Sequence, residues 1–93
     1  MIVSYKDKDT EKLANHIRVA KYRSIERIAL RKLVQLEVAY ALNDLRIPPG
    51  NRLESLSGDR TGHYSIRIND KYRICFKWAS GKAYEVEITD YHD

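Results

Sequence analysis

Three runs of alternating apolar and polar residues in the second half of the sequence constrain the fold most strongly. Such a period of two is typical of strands that bury one face. The gaps between the runs have hairpin length, so the sequence predicts an antiparallel sheet. The apolar positions of the three runs are Tyr64, Ile66 and Ile68; Tyr72, Ile74, Phe76 and Trp78; and Tyr84, Val86 and Ile88.

The N-terminal segment is predicted to form a short strand and a short helix. Residues 2–5 are an apolar stretch that suits a strand. Asp7, Asp9 and Thr10 are of the types that cap the start of a helix, and helix-forming residues follow them. We expect this first helix to end at about His16.

A second, longer helix is predicted to begin after Ser24, a good N-cap residue, and to continue through Leu45. It must end before the Pro-Pro-Gly sequence at 48–50. The helix carries two apolar stripes, of which one should pack on the sheet. The other either contacts the first helix, which we favour, or docks a protein partner. The stripes are Ile25, Ala29, Leu33, Leu36 and Tyr40, and Leu30, Val34, Val38, Ala41 and Leu45.

Helices followed by strands predict an α+β fold, with two N-terminal helices packed on one face of a small antiparallel sheet. A length of 93 residues fits a single domain over residues 1–93. Residues 51–62, which are rich in Gly, Asp, Asn and Ser, are predicted to form a loop. Leu53 and Leu56 should anchor this loop to the core.

The register of the first hairpin follows from matching its buried faces, because a slip of one residue would turn every side chain over. A three-residue loop at 69–71 pairs Ile66 with Ile74 and Arg67 with Arg73. A two-residue loop would place an isoleucine opposite an arginine.

The second hairpin is predicted to turn through a three-residue loop at 79–81, with its glycine in the left-handed conformation. The resulting row Arg67–Arg73–Glu87 lies on the face away from the core. This row has two interpretations. Either Glu87 forms an ion pair with Arg73 while Arg67 points to solvent, or the two arginines form a binding site for a phosphate, which arginine binds bidentately. The pairs that this register predicts are Phe76–Tyr84, Ile74–Val86, Cys75–Glu85 and Arg73–Glu87.

The net charge of +4 and the isoelectric point of 9.3 favour a polyanionic partner. We expect a cytoplasmic protein, because the sequence has no apolar run of about 20 residues and no signal-peptide pattern. Cys75 has no second cysteine to pair with and is interpreted as a small apolar filler. His16 and His63 are isolated and lack the spacing of metal ligands, so no metal site is predicted.

Several motifs follow one another between residues 48 and 92. They are Pro48-Pro49-Gly50-Asn51-Arg52-Leu53-Glu54, Leu56-x-Gly58-Asp59-Arg60-x-Gly62, Tyr64-Ser65-Ile66-Arg67-Ile68-Asn69, Tyr72-Arg73-Ile74-Cys75-Phe76-x-Trp78 and Asp90-Tyr91-His92. This ordered set resembles the HigB toxins of the RelE-like superfamily of toxin–antitoxin modules. The resemblance covers nearly the whole chain.

The resemblance implies a metal-independent endoribonuclease without a cofactor, which cleaves mRNA in the ribosomal A site. The 2′-hydroxyl attacks the adjacent phosphate, so the site must supply a base, cations and an acid. The implied partners are the ribosome with its A-site mRNA and a HigA-type helix-turn-helix antitoxin. The alternative is a non-catalytic RNA-binding or protein-interaction module on the same scaffold, which would tolerate the loss of His92.

The resemblance also assigns candidate residues. Some members of the family carry His where this chain has Glu54 and Lys where it has Ser57. Glu54 is therefore either a carboxylate base or only a loop residue. The catalytic candidates are Glu54, Arg73, Asp90, Tyr91 and His92, and the RNA-binding candidates are Arg60, Arg67 and Lys77.

Overall fold

The computed structural model describes residues 1–90. Two α-helices precede an antiparallel sheet, as the sequence predicts, and the sheet has four strands. The helices are α1 (Lys8–Ala14) and α2 (Glu26–Val38). The strands are β1 (Glu54–Ser55), β2 (His63–Arg67), β3 (Tyr72–Ala79) and β4 (Lys82–Asp90), and they lie in the order β1-β2-β3-β4.

Helix α1 begins where the capping residues predict. The Asp7 carboxylate accepts hydrogen bonds from the backbone N–H of Thr10 at 3.1 Å and from its hydroxyl at 2.7 Å. The helix ends at Ala14, two residues before the predicted end. His16 has a left-handed backbone with φ of 65°, which an α-helix cannot accommodate.

The prediction of one long second helix is wrong at both ends. Residues Ala20–Ile25 form a 3-10 helix, so Ser24 does not cap α2. Helix α2 ends at Val38, and a separate 3-10 helix, Leu42–Arg46, follows. The Asp44 carboxylate accepts the backbone N–H groups of residues 40 and 41, both at 3.0 Å, so the chain turns there and starts a new short helix.

The first apolar stripe of α2 packs in the core, as predicted, except at its end. Tyr40 is 91% exposed because it lies beyond the end of the helix. The second stripe is split. Leu45 is buried from the separate 3-10 helix, whereas Val34 and Val38 are exposed on α2.

The inner face of the sheet packs against α2 and provides half of the core. Nine of the ten apolar strand positions predicted to share the buried face lie on the core side, and Trp78 packs there from the end of β3. The prediction is wrong for Tyr84, which lies opposite Lys77 on the other face of the sheet. Ile66, Ile68, Ile74, Phe76, Val86 and Ile88 are buried, and Tyr64 and Tyr72 pack against them. The predicted loop at 51–62 contains strand β1, which pairs with β2, and a 3-10 helix, Gly58–Arg60.

The first hairpin has the predicted register, with Ile66 opposite Ile74 and Arg67 opposite Arg73. The Asn69 side chain accepts the backbone N–H groups of Lys71 at 2.8 Å and of Tyr72 at 2.7 Å. This Asx turn fixes the three-residue loop.

The predicted register of the second hairpin is wrong. Ser80 and Gly81, with φ of 52° and 75°, form a two-residue turn, as expected when two successive residues take positive φ. Glu85, also left-handed at φ of 52°, lies in a β-bulge that adds one residue to β4. None of the four predicted pairs forms. The observed partners are Lys77–Tyr84, Cys75–Glu87, Ile74–Ile88, Arg73–Thr89 and Tyr72–Asp90.

The N-terminal residues predicted as a strand run parallel to β4 and meet it in two isolated bridges, Ile2–Ala83 and Tyr5–Val86. None of the helices in residues 1–90 is both long and apolar enough to span a membrane.

Candidate active site

The face of the sheet turned away from α2, here called the outer face, carries two polar rows that cross the strands. The arginine row is Arg67–Arg73–Thr89. The glutamate row is Glu54–Ser65–Cys75–Glu87 and crosses all four strands. The arginine row therefore ends in Thr89, where the sequence predicts Glu87.

The carboxylate that forms an ion pair with Arg73 is that of Glu54, where the sequence predicts Glu87. The Arg73 Nη2 atom lies 3.3 Å from the Glu54 Oε1 atom. The Arg73 side chain is only 19% exposed, whereas that of Glu54 is 53% exposed. The mostly buried Arg73 guanidinium is thus paired with a solvent-accessible carboxylate on the outer face.

Glu87 instead binds two other cations. Its carboxylate lies 3.4 Å from the Lys6 ammonium and 3.5 Å from the Arg60 guanidinium. Arg60 comes from the segment between β1 and β2 and also interacts with Cys75.

Burial raises the pKa of the Cys75 thiol, and the nearby Arg60 opposes this shift only in part. The buried thiol is therefore protonated at neutral pH, which suits the filler role that the sequence predicts.

Arg67 lies directly opposite Arg73 and forms an ion pair with Asp70 in the β2–β3 turn. The Asp70 side chain is 99% exposed, so this pair contributes little to stability. A phosphate that approaches the arginine row can replace Asp70 at small cost.

A buried polar network, which the sequence analysis missed, positions Glu54. Lys32 on α2 donates from its ammonium to the Asn51 side-chain oxygen. The Asn51 amide nitrogen donates to Gln35 Oε1 at 3.0 Å and to the Leu45 carbonyl at 3.1 Å. Asn51 is fully buried three residues before Glu54, so the network ties the start of β1 to α2.

One sequence signal points to this network. Lys32 falls within the apolar stripe of α2, next to Leu33, and is itself buried. A lysine at such a position must find an acceptor inside the protein. Burial lowers its pKa, and the charges of Arg31 and Arg67 lower it further.

The remaining candidates are distributed differently. Lys77 is exposed on the outer face, opposite Tyr84. Asp90 pairs with Tyr72 and so lies on the helix side of the sheet, 4.0 Å from the Lys71 ammonium. Tyr91 and His92 lie outside the described residues.

His16 and His63 do not belong to a metal-binding cluster in residues 1–90. No three His, Cys, Asp or Glu side chains in that range lie close enough together to hold a metal ion. His63 lies on the outer face opposite Lys77. Its buried Nδ1 atom has no hydrogen-bond partner within the described part of the chain.

Comparison with known proteins identifies close relatives. Residues 4–92 match the HigB-like toxin family, described as the RelE-like toxin of the type II toxin–antitoxin system HigB. Toxin HigB-1 of Vibrio cholerae is 53% identical over 60 residues, which are 64% of this chain and 63% of that protein. Endoribonuclease HigB of Proteus vulgaris is 42% identical over 41 residues, or 44% of this chain and 45% of that protein. These matched stretches span less than two thirds of either relative.

The fold also has a counterpart among solved structures. A mutant of YafQ from E. coli superimposes with a TM-score of 0.63, covering 99% of this chain and 93% of that one. The two sequences are 15% identical, so the likeness concerns the fold.

Proposed function

Because the chain belongs to the HigB-like family of toxins from type II toxin–antitoxin systems, we propose that it is a ribosome-dependent endoribonuclease that cleaves mRNA in the A site. The observation that carries this proposal is the 3.3 Å contact between Glu54 and Arg73 on the outer face. The name of the Proteus vulgaris relative, an endoribonuclease, supports the reaction class.

The arginine row would bind the scissile phosphate. A guanidinium has five donors in a planar fork that matches the oxygens of a phosphate, which makes Arg73, held by Glu54, suited to bind the scissile phosphate. Arg67 lies opposite and adds a second positive charge where the phosphorane becomes more negative. Arg60 and Lys77 would contact neighbouring phosphates on the same face.

The reaction needs no group beyond the chain and its RNA. Glu54 takes the proton of the 2′-hydroxyl, and the 2′-oxygen attacks the phosphorus. The bond from phosphorus to the 5′-oxygen breaks, and His92 protonates that oxygen. The products are a 2′,3′-cyclic phosphate and a 5′-hydroxyl. Asp90 and Tyr91 would position His92, and neither a metal ion nor a cofactor takes part.

We further propose that the partner is a HigA-type helix-turn-helix antitoxin and that residues 1–93 act as one cytoplasmic toxin domain. The exposed part of the second stripe on α2, Val34 and Val38, offers apolar surface for that partner. The basic surface around this stripe, which includes Arg27 and Arg31, suits an acidic antitoxin segment.

Single-turnover cleavage on ribosomes programmed with a defined mRNA tests the catalytic proposal. Arg73→Ala should abolish cleavage, and Arg73→Lys should restore little, because lysine lacks the planar fork. Arg18→Ala is the matched control, since Arg18 also pairs with a glutamate, at 3.5 Å, but lies before α2. Circular dichroism checks that each variant is folded. If folded Arg73→Ala cleaves at the wild-type rate, the proposal fails.

The acid and base are tested together. Glu54→Gln and His92→Ala should each slow cleavage by about a hundredfold or more. The double variant should lose less than the product of the two losses if the groups act as a unit. If Glu54→Gln is fully active and His92→Ala is inactive, Glu54 only holds Arg73. If both variants are fully active, the alternative of a non-catalytic binding module gains support.

A further inference from the structure

We propose that the outer face contains a second RNA subsite, a cavity that receives the base of a nucleotide flanking the scissile bond. The cavity has a volume of about 210 Å³ and is lined by Ser4, Lys77, Ala79, Tyr84 and Glu85. This inference rests on the proposed endoribonuclease function and names a substrate contact beyond the arginine row.

The bulge in β4 builds this cavity. After Tyr84, regular alternation would turn Glu85 towards the helices and Val86 towards the outer face. The extra residue keeps Glu85 exposed and returns Val86 to the core. The Glu85 backbone N–H donates to the Ser4 hydroxyl at 3.0 Å, which ties the bulge to the N-terminal segment. Bulges commonly re-aim a side chain next to a functional site.

The charged groups at the cavity are available to a ligand. Within residues 1–90, neither the Lys77 ammonium nor the Glu85 carboxylate forms an ion pair, although both line the same space. An ammonium donor and a carboxylate acceptor together match a base edge, which presents acceptors and amino donors side by side. The half-buried Tyr84 ring supplies an apolar wall on which a base can stack.

The cavity lies within reach of RNA bound at the arginine row. Lys77 and Arg73 are on the same strand and the same face, four residues apart, which corresponds to about 13 Å. Cys75 lies between them with Arg60 beside it, so positive charge continues along β3 from one site to the other. A single-stranded RNA bound along β3 would place its phosphates at the arginine row and a flanking base at Tyr84.

The experiment measures cleavage of mRNAs that carry one abasic nucleotide, moved stepwise across the positions flanking the scissile bond on programmed ribosomes. For the wild type, one position should lower kcat/KM by about tenfold, the scale of one base–aromatic stack. In the variant Lys77→Met with Tyr84→Ala, which removes the stacking ring and the ammonium, the intact mRNA should already be slow and the abasic position should have no further effect. The matched control is Lys12→Met with Tyr40→Ala, two exposed residues that do not line the cavity.

Three outcomes overturn the subsite. If wild-type cleavage is insensitive to every abasic position, the proposed endoribonuclease function stands and the subsite proposal fails. An abasic effect that persists in the double variant assigns base recognition to other residues. A double variant that binds antitoxin more weakly and cleaves normally assigns the cavity to the protein partner. A wild-type protein that cleaves no programmed mRNA refutes the proposed function itself.

Discussion

Replacing Asn51 with Ala should destabilise the protein more than any surface change near the candidate site. Asn51 accepts a hydrogen bond from the buried Lys32 ammonium and donates to Gln35 and to the Leu45 carbonyl. A hydrogen bond to a charged group contributes about 2 kcal/mol and a neutral one about 1 kcal/mol. The loss of all three should lower the free energy of unfolding by about 4 kcal/mol, a large share of the stability of a small domain.

Urea denaturation followed by circular dichroism measures this effect. The matched control is Lys32→Met combined with Asn51→Leu, which removes both polar partners and leaves neither one unsatisfied. Since apolar replacement of a buried polar pair is often nearly neutral, the double variant should regain at least half of the loss. A loss below about 1 kcal/mol for Asn51→Ala would show that the network does not anchor the segment before Glu54.

Three other predictions concern separate regions. Val38→Asp should weaken antitoxin binding in a pull-down titration without unfolding the toxin, because Val38 is 65% exposed. Ile17→Asp, at another exposed apolar residue, should leave antitoxin binding unchanged. Unfolding of Val38→Asp would contradict this prediction. Arg67→Ala should slow cleavage about tenfold. It should leave the midpoint of thermal unfolding almost unchanged, because the ion-pair partner Asp70 is exposed. A large drop in that midpoint would indicate a structural role. Burial lowers the pKa of Lys32 below 10.5, so the unfolded chain binds more protons between the lowered pKa and 10.5. As the pH rises through that window, the wild type should gain stability relative to Lys32→Met in denaturant titrations, and a relative loss would contradict the assignment.

The sequence predicts the layers of the fold because burial patterns are local. The alternation from Tyr64 to Ile88 identifies the inner face except at Tyr84, and Asp7 with Thr10 identifies the start of α1. The break after Val38 depends on a turn that Asp44 stabilises through its side chain, and apolar periodicity alone cannot reveal it.

The candidate site shows the same division. The pairing of Arg67 with Arg73 follows from the first hairpin, whose turn length is fixed by face matching. The partner of Arg73 does not follow, because Glu54 reaches it from a strand of only two residues. The bulge at Glu85 requires a positive φ at a residue other than glycine, a conformation that sequence patterns rarely signal.

The parallel bridges between the N-terminal segment and β4 have a consequence for the order in which the chain can fold. Ser4 accepts a hydrogen bond from Glu85, 81 residues away, and the Thr10 hydroxyl accepts one from Ile88, 78 residues away. Contacts of such sequence separation form late, because a long loop must close before they stabilise anything. We therefore expect a nascent chain that already contains Glu54 and Arg73 to remain unfolded until β4 has left the ribosome. The time needed to synthesise β4 would then delay the onset of the proposed activity.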